Sequence, residues 1–171
     1  MPEAFLQATV QSFMALRKQA EAALEQIDDE VFFAAPGPRN SSLAMIVKHV
    51  GGNLKSRWTD FLTTDGEKED RNRDGEFIVS EDRTALMKVW DEGWKALLST
   101  LDGLKDEDLA KTVFIRGEAH SVPLAIQRSL AHTGWHVGQI LYVARLLKEG
   151  DWNWLTIPPG GSADFNRKRK G

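Results

Sequence analysis

His132 and His136 stand one helical turn apart in the stretch "SLAHTGWHVGQILYVARLL". Burying a polar ring costs free energy unless it finds a partner, so two imidazoles in an apolar helix demand one. At i and i+4 the two rings share a face and can bring ring nitrogens to a single cation, although such a pair can also simply bond a carbonyl. The zinc-protease form of this spacing, HExxH, places a Glu beside the first His as the base. Thr133 stands there instead, so that chemistry is not supported. With His132 at zero, His136 lies roughly 40° round the helix and Gln139 about 20° the other way. Ala125, Ser129, Val143 and Leu147 fall on the same line. The polar trio therefore interrupts an inward stripe.

A further imidazole, His49, occurs in "IVKHVGGNL". It lies at the edge of an apolar stripe, roughly 60° from Ile46, with Asn53, Ser56 and Asp60 on its own face. Periodicity alone slightly favours a half-exposed ring; turned inward, it would meet the pair. His120 falls in a short hairpin, where a surface position is expected. A Ser-His-Asp set assembled from Ser129 or Ser56 with Asp60 has no nucleophile-elbow motif behind it. No phosphate-cradling glycine loop or dinucleotide fingerprint is present.

Four long segments of helical period must position these residues. The first carries Leu6, Val10, Phe13, Ala20, Leu24 and Ile27 inward, and "PGPRN" follows it as a loop. The second starts after Asn40, Ser41 and Ser42, any of which can cap it, and buries Leu43, Ile46, Val50, Leu54, Trp58 and Phe61. The charged stretch 64–79, with two Asp-Gly steps, reads as a long exposed loop that lets the chain cross over. Ser80 is the expected cap of a third helix carrying Leu86, Trp90, Gly93, Leu97 and Leu101 inward. "VFI" and "HSV" around "RGEA" suggest a small hairpin with Gly117 and Glu118 in its turn. Pro123 suits the first turn of a fourth helix that runs to about Glu149, just before Gly150. Residues 151–171 form a tail without strong period, which Trp152 and Trp154 are expected to pin. The pattern predicts an all-α fold, a four-helix bundle, in one domain spanning 1–171.

Composition narrows the function classes. The chain has 171 residues, a net charge of −3 and no cysteine. Disulfides, thiolate nucleophiles and cysteine-based metal sites are therefore excluded within it. The modest charge, and a basic end "NRKRKG" without interleaved aromatics, argue against a nucleic-acid partner. No apolar run is long enough to span a bilayer, and the amphipathic N-terminus carries charge early, unlike a signal peptide. A cytoplasmic protein without a membrane partner is the expectation. Of the six tryptophans, Trp58, Trp90 and Trp94 sit where packing explains them. Trp135 points roughly 60° away from His132, toward a pocket wall or a partner subunit.

A first long helix, a His in the second, and HxxxH followed by Gly-Gln in the fourth resemble the DinB-like, YfiT-like superfamily of metal-dependent bundle proteins. "RNRDGEF" and "WLTIPPGGSADFN" resemble one bacterial branch of it, mostly of unknown function. The resemblance implies that His49, His132 and His136 bind one divalent metal ion. Three imidazoles leave a fourth tetrahedral position open, the composition of a catalytic rather than a closed structural site. Imidazole suits several metals; zinc or nickel is the expectation. Asn53 and Gln139 are the candidates for orienting the ligands or a bound molecule. The superfamily includes thiol-dependent S-transferases, so the resemblance implies a small-molecule substrate and a low-molecular-weight thiol. A metal-dependent hydrolase and a non-catalytic metal-binding module are the alternatives. Relatives resemble homodimers, and Leu124, Leu141 and Tyr142, off the histidine stripe, would cover the partner.

Overall fold

The computed structural model describes residues 2–170. Helices α1 (Pro2–Leu24), α3 (Leu43–Trp58), α4 (Arg83–Gly103) and α5 (Val122–Leu147) are the four long segments of the sequence pattern. α2 (Asp29–Phe33) and α6 (Ser162–Lys170) are short additions, and β1 (Thr112–Ile115) pairs antiparallel with β2 (Glu118–Ser121). The protein is thus predominantly helical with one small hairpin. α1 packs on α5 and α4, and α3 on α4 and α5. Among the described residues no helix is long and apolar enough to cross a membrane.

The helix starts follow from side chains that accept otherwise orphaned N–H groups. Ser42 caps α3 by accepting from Met45 N, and Ser121 caps α5 by accepting from Leu124 N. Asp28 caps α2 in the same way. Ser80 does not cap α4. Asp82 does, its carboxylate accepting from Ala85 N at 2.8 Å. An ionised cap also answers the positive end of the helix dipole, which a hydroxyl cannot. α5 ends two residues before the expected Glu149, and Gly150 follows with φ +74.

Aromatic packing fills the centre. Phe13 of α1 meets Trp58 of α3 and Trp94 of α4 edge-on, and Trp90 lies beside Trp94. Trp58, Trp90 and Trp94 are all buried core residues, as their spacing predicts. Trp58 Nε1 donates to Ser129 Oγ at 3.1 Å, which fixes α3 against α5.

α3 and α4 pack backbone against backbone, and two glycines permit it. A Cβ on Gly51 would come within 2.6 Å of the Val89 carbonyl oxygen, and one on Gly93 within 2.9 Å of Gly51 Cα. Both obstacles are backbone, which cannot rotate away. Gly51 lies two residues beyond His49, so this contact sets the depth at which α3 presents that histidine.

The stretch expected to be an exposed crossover loop folds back onto the helices instead. Its residues Asp74–Phe77 form a 3-10 turn against α3, and Glu76 is buried. Asp65 accepts from the backbone N–H of Arg116 and Gly117, and Gly66 N donates to Phe114 O. These bonds tie the stretch to the hairpin. The hairpin turn is Arg116–Gly117, both at positive φ, with Glu118 already paired to Ile115. The expected turn was one residue too late. Two positive-φ residues match a tight two-residue hairpin, and Asp65 holds both of their N–H groups in place.

The tail is partly anchored. Asn153 N donates to Gln26 Oε1 at 2.8 Å, Trp152 packs against the core, and Arg145 lies over the Trp154 ring. Helix α6 has no apolar stripe, so periodicity could not announce it. The basic end 166–171 falls mostly on α6; Gly171 and the side chains of Arg169 and Lys170 lie outside the described residues, as does Met1.

Candidate metal centre

α3 and α5 bring His49, His132 and His136 together. Their ligand atoms lie within 4.8 Å of one another. His132 Nε2 is the hub, 3.4 Å from His49 Nε2 and 3.2 Å from His136 Nε2. His49, which periodicity placed at a boundary, is only 5% exposed.

The far side of two rings decides what the near side can do. His49 Nδ1 lies 2.8 Å from Glu76 Oε2, and Arg71 clamps that carboxylate through Nε at 2.8 Å and Nη2 at 2.9 Å. Burial pushes the Glu76 carboxyl up, but the hydrogen bonds from His49 and Arg71 outweigh it and hold it below its ordinary range. An ionised carboxylate only accepts, so His49 Nδ1 donates to it and Nε2 is the nitrogen turned toward the other two rings. His136 Nδ1 donates likewise to Gln139 Oε1 at 2.7 Å. Burial, reinforced by the neighbouring His136 and His49, drives His132 down to about 4, and burial also lowers His136 against the opposing bond from Gln139. Both rings are neutral near pH 7.

Three Nε2 atoms therefore converge, and neutral imidazoles in this arrangement can turn their lone pairs to one divalent cation. A carboxylate or amide oxygen behind a ligating imidazole is the usual companion of a metal site, fixing tautomer and ring orientation. The residues present fit a metal ion.

The other expected residues fall as follows. Gln139 bonds His136. Asn53 is buried and faces the adjoining cavity, with no hydrogen bond to any of the three imidazoles. Asp60 is exposed at the end of α3, and Ser56 is engaged with the Gly66 carbonyl, so neither approaches the cluster. His120 is not a surface residue. It is buried outside the trio, donating from Nδ1 to Glu118 O and accepting at Nε2 from Arg128. Trp135 is 71% exposed and forms part of the cavity wall.

The cavity has a volume of about 410 Å³ and reaches His49 and His132. That is within the range of small-molecule sites. No carboxylate lines it.

The profile of the family described as "Protein of unknown function (DUF1572)" matches residues 1–161. The chain belongs to the DUF1572 family. The match takes in all three histidines together with Arg71, Glu76 and Gln139. None of the curated proteins compared with this DUF1572 chain matches it.

Sequence reasoning singled out "RNRDGEF", which holds Arg71 and Glu76, only as a mark of the resemblance and gave the pair no role. A second signal was Gly52, the second glycine of "HVGGNL". A Cβ there would come within 2.6 Å of Glu76 Oε1, so the glycine makes room for the carboxylate. Replacing Glu76 with Gln should weaken divalent-metal binding roughly 10–100-fold, the usual penalty for losing the group behind a ligand. Gln139→Ala should cost less, because Gln139 is exposed. Competition against a chromophoric chelator measures both. A Glu76→Gln protein that binds metal like wild type would sever the carboxylate from the site.

Proposed function

We propose that this protein is a divalent-metal-dependent enzyme acting on a small molecule held in the cavity beside His49, His132 and His136. The observation that carries the reading is the convergence of three Nε2 atoms beside a small-molecule-sized cavity that His49 and His132 line. A purely structural ion would more naturally be enclosed by a fourth protein ligand. His49, His132 and His136 would hold a zinc or nickel ion. When bound, that ion supplies Lewis acidity and lowers the pKa of a coordinated thiol or water.

The protein's own residues have three tasks in this reading. Glu76 and Arg71 lock His49, and Gln139 holds His136, so the nitrogens stay aimed at one point. The aromatic part of the cavity wall, Trp58 and Phe61, would hold the apolar body of a substrate. The lack of a carboxylate on that wall leaves activation of the nucleophile to the metal. With no cysteine in the chain, thiol chemistry requires a low-molecular-weight thiol as cosubstrate. S-transfer to an epoxide would form a sulfur–carbon bond as a carbon–oxygen bond breaks, with the thiol proton ending on the freed oxygen. The resemblance to the DinB-like four-helix bundles supports this choice of reaction. The same reading places the enzyme in the cytoplasm as a homodimer, with exposed Leu124 and Tyr142 available to a second copy.

The test sets metal-loaded wild type beside His136→Ala in a screen of bacterial thiols against epoxides and aryl halides. Thiol-dependent turnover in wild type and its loss in the variant are expected. Equal rates would remove the metal from the mechanism. Metal-dependent ester or amide hydrolysis without a thiol would select a hydrolase. Metal binding without turnover of any substrate would select a non-catalytic module.

A further inference from the structure

Every ionic side chain on the cavity wall, the histidines aside, is an arginine. Arg57, Arg73, Arg116 and Arg128 come from α3, the folded-back stretch, the hairpin turn and α5. Residues so far apart in sequence meet only in the folded chain, so charge-run statistics could not find them.

The arginines are short of counter-charge. Arg57, Arg71 and Arg116 share one carboxylate oxygen, Glu67 Oε2, at 3.1, 3.0 and 3.4 Å. Arg71 also holds Glu76, which His49 engages. Asp65 is committed to backbone N–H groups of the hairpin turn. Among the described residues no carboxylate pairs with Arg73 or Arg128. The contact that Arg128 makes is with the ring nitrogen of buried His120, an acceptor without charge in this arrangement, which fixes the guanidinium in position.

Arg57 is the costliest of the four. Its side chain is largely buried, and its Nη1 has no hydrogen-bond partner. Burial first, and then the neighbouring arginines, pull it down to about 10, so it stays charged at neutral pH. Gly66 lies against it: a Cβ there would come within 3.2 Å of Nη1. A poorly compensated buried charge is expensive to keep unless something else supplies the opposite sign.

Four aromatic side chains also line the wall. Trp58 and Phe61 stack on one another at 4.8 Å, and Phe114 and Trp135 form exposed rims. Planar guanidinium forks suit carboxylate and phosphate oxygens, and aromatic faces suit an apolar body.

We propose that the cavity binds an organic oxyanion, its carboxylate or phosphate taken by Arg57, Arg116 and Arg128 and its apolar part lying against Trp58 and Phe61. Its place as the substrate subsite rests on the metal-enzyme reading above; the binding itself belongs to the arginines and is independent of metal.

Isothermal titration of the full chain with benzoate, phenyl phosphate and uncharged benzamide tests this, each in metal-loaded and chelator-treated protein. At least one anion should bind tenfold or more tightly than benzamide, with or without metal. Arg128→Gln and Arg116→Gln, both at exposed positions where folding is easily verified, should each weaken that anion roughly tenfold and leave benzamide unchanged. Comparison of the two anions tells carboxylate from phosphate. Equal binding of benzamide and the anions would overturn the proposal. So would anion binding that vanishes with the metal and ignores the arginine changes, since the metal would then be the anion's partner. Anion binding in a protein that takes up no metal would instead leave this subsite standing and remove the metal-enzyme reading.

Discussion

Replacing His132 with Ala should abolish stoichiometric metal binding while leaving the helices intact. His132 Nε2 is the atom from which both other Nε2 atoms are within 3.4 Å, so its loss removes the central ligand and leaves only two imidazoles for an ion. The affinity should fall beyond the roughly 10–100-fold expected when only a group behind a ligand is changed. The fold does not depend on it. Phe13, Trp58, Trp90 and Trp94 form a core that needs no ion, unlike a zinc finger. Metal at a hundredfold excess over its dissociation constant should stabilise wild type by about 2.7 kcal/mol. For a chain of this size that raises the melting temperature by roughly 5–10 °C. The variant should show no metal-dependent shift, and chelated wild type should keep its helical circular dichroism. A His132→Ala protein that melts higher with metal, by the same amount as wild type, would refute the assignment.

Gly93→Ala should be the most damaging small substitution in the helices. The added methyl would collide with the Gly51 carbonyl oxygen and Cα, and only a separation of α3 from α4 relieves it. Overpacking of this kind costs about 1–3 kcal/mol, and a backbone obstacle places it near the upper end. The melting temperature should fall by roughly 6–12 °C. Because Gly51 follows His49 so closely, metal affinity should fall with it. Thermal denaturation and a metal titration on the same protein check both. An unchanged melting temperature would mean that the two helices are not in backbone contact.

How much of this was legible follows from the kind of signal each residue leaves. The four long helices announced themselves because each buries a stripe, and Trp58, Trp90 and Trp94 lay on those stripes. His132, His136 and Gln139 were visible as polar interruptions of an apolar line. His49 was ambiguous, since a boundary position is compatible with either direction; a carboxylate from another segment draws it inward. That carboxylate, Glu76, could not be read as a partner of His49. It lies in a stretch whose charges look solvated, yet Glu76 is buried, where Arg71 and His49 satisfy it. His120 was misplaced for a related reason: a hairpin residue is usually exposed, but here Arg128 and the Glu118 carbonyl occupy both ring nitrogens. α2 is too short, and α6 too polar, to show a period.

Metal analysis of protein purified without a histidine tag decides whether the three imidazoles form one metal centre. Elemental analysis paired with X-ray absorption spectroscopy should find one divalent ion per chain with imidazole nitrogens in its coordination shell. His49→Ala, His132→Ala and His136→Ala should each fail to retain it. No bound ion after incubation with zinc or nickel, or full occupancy in all three variants, would contradict the claim.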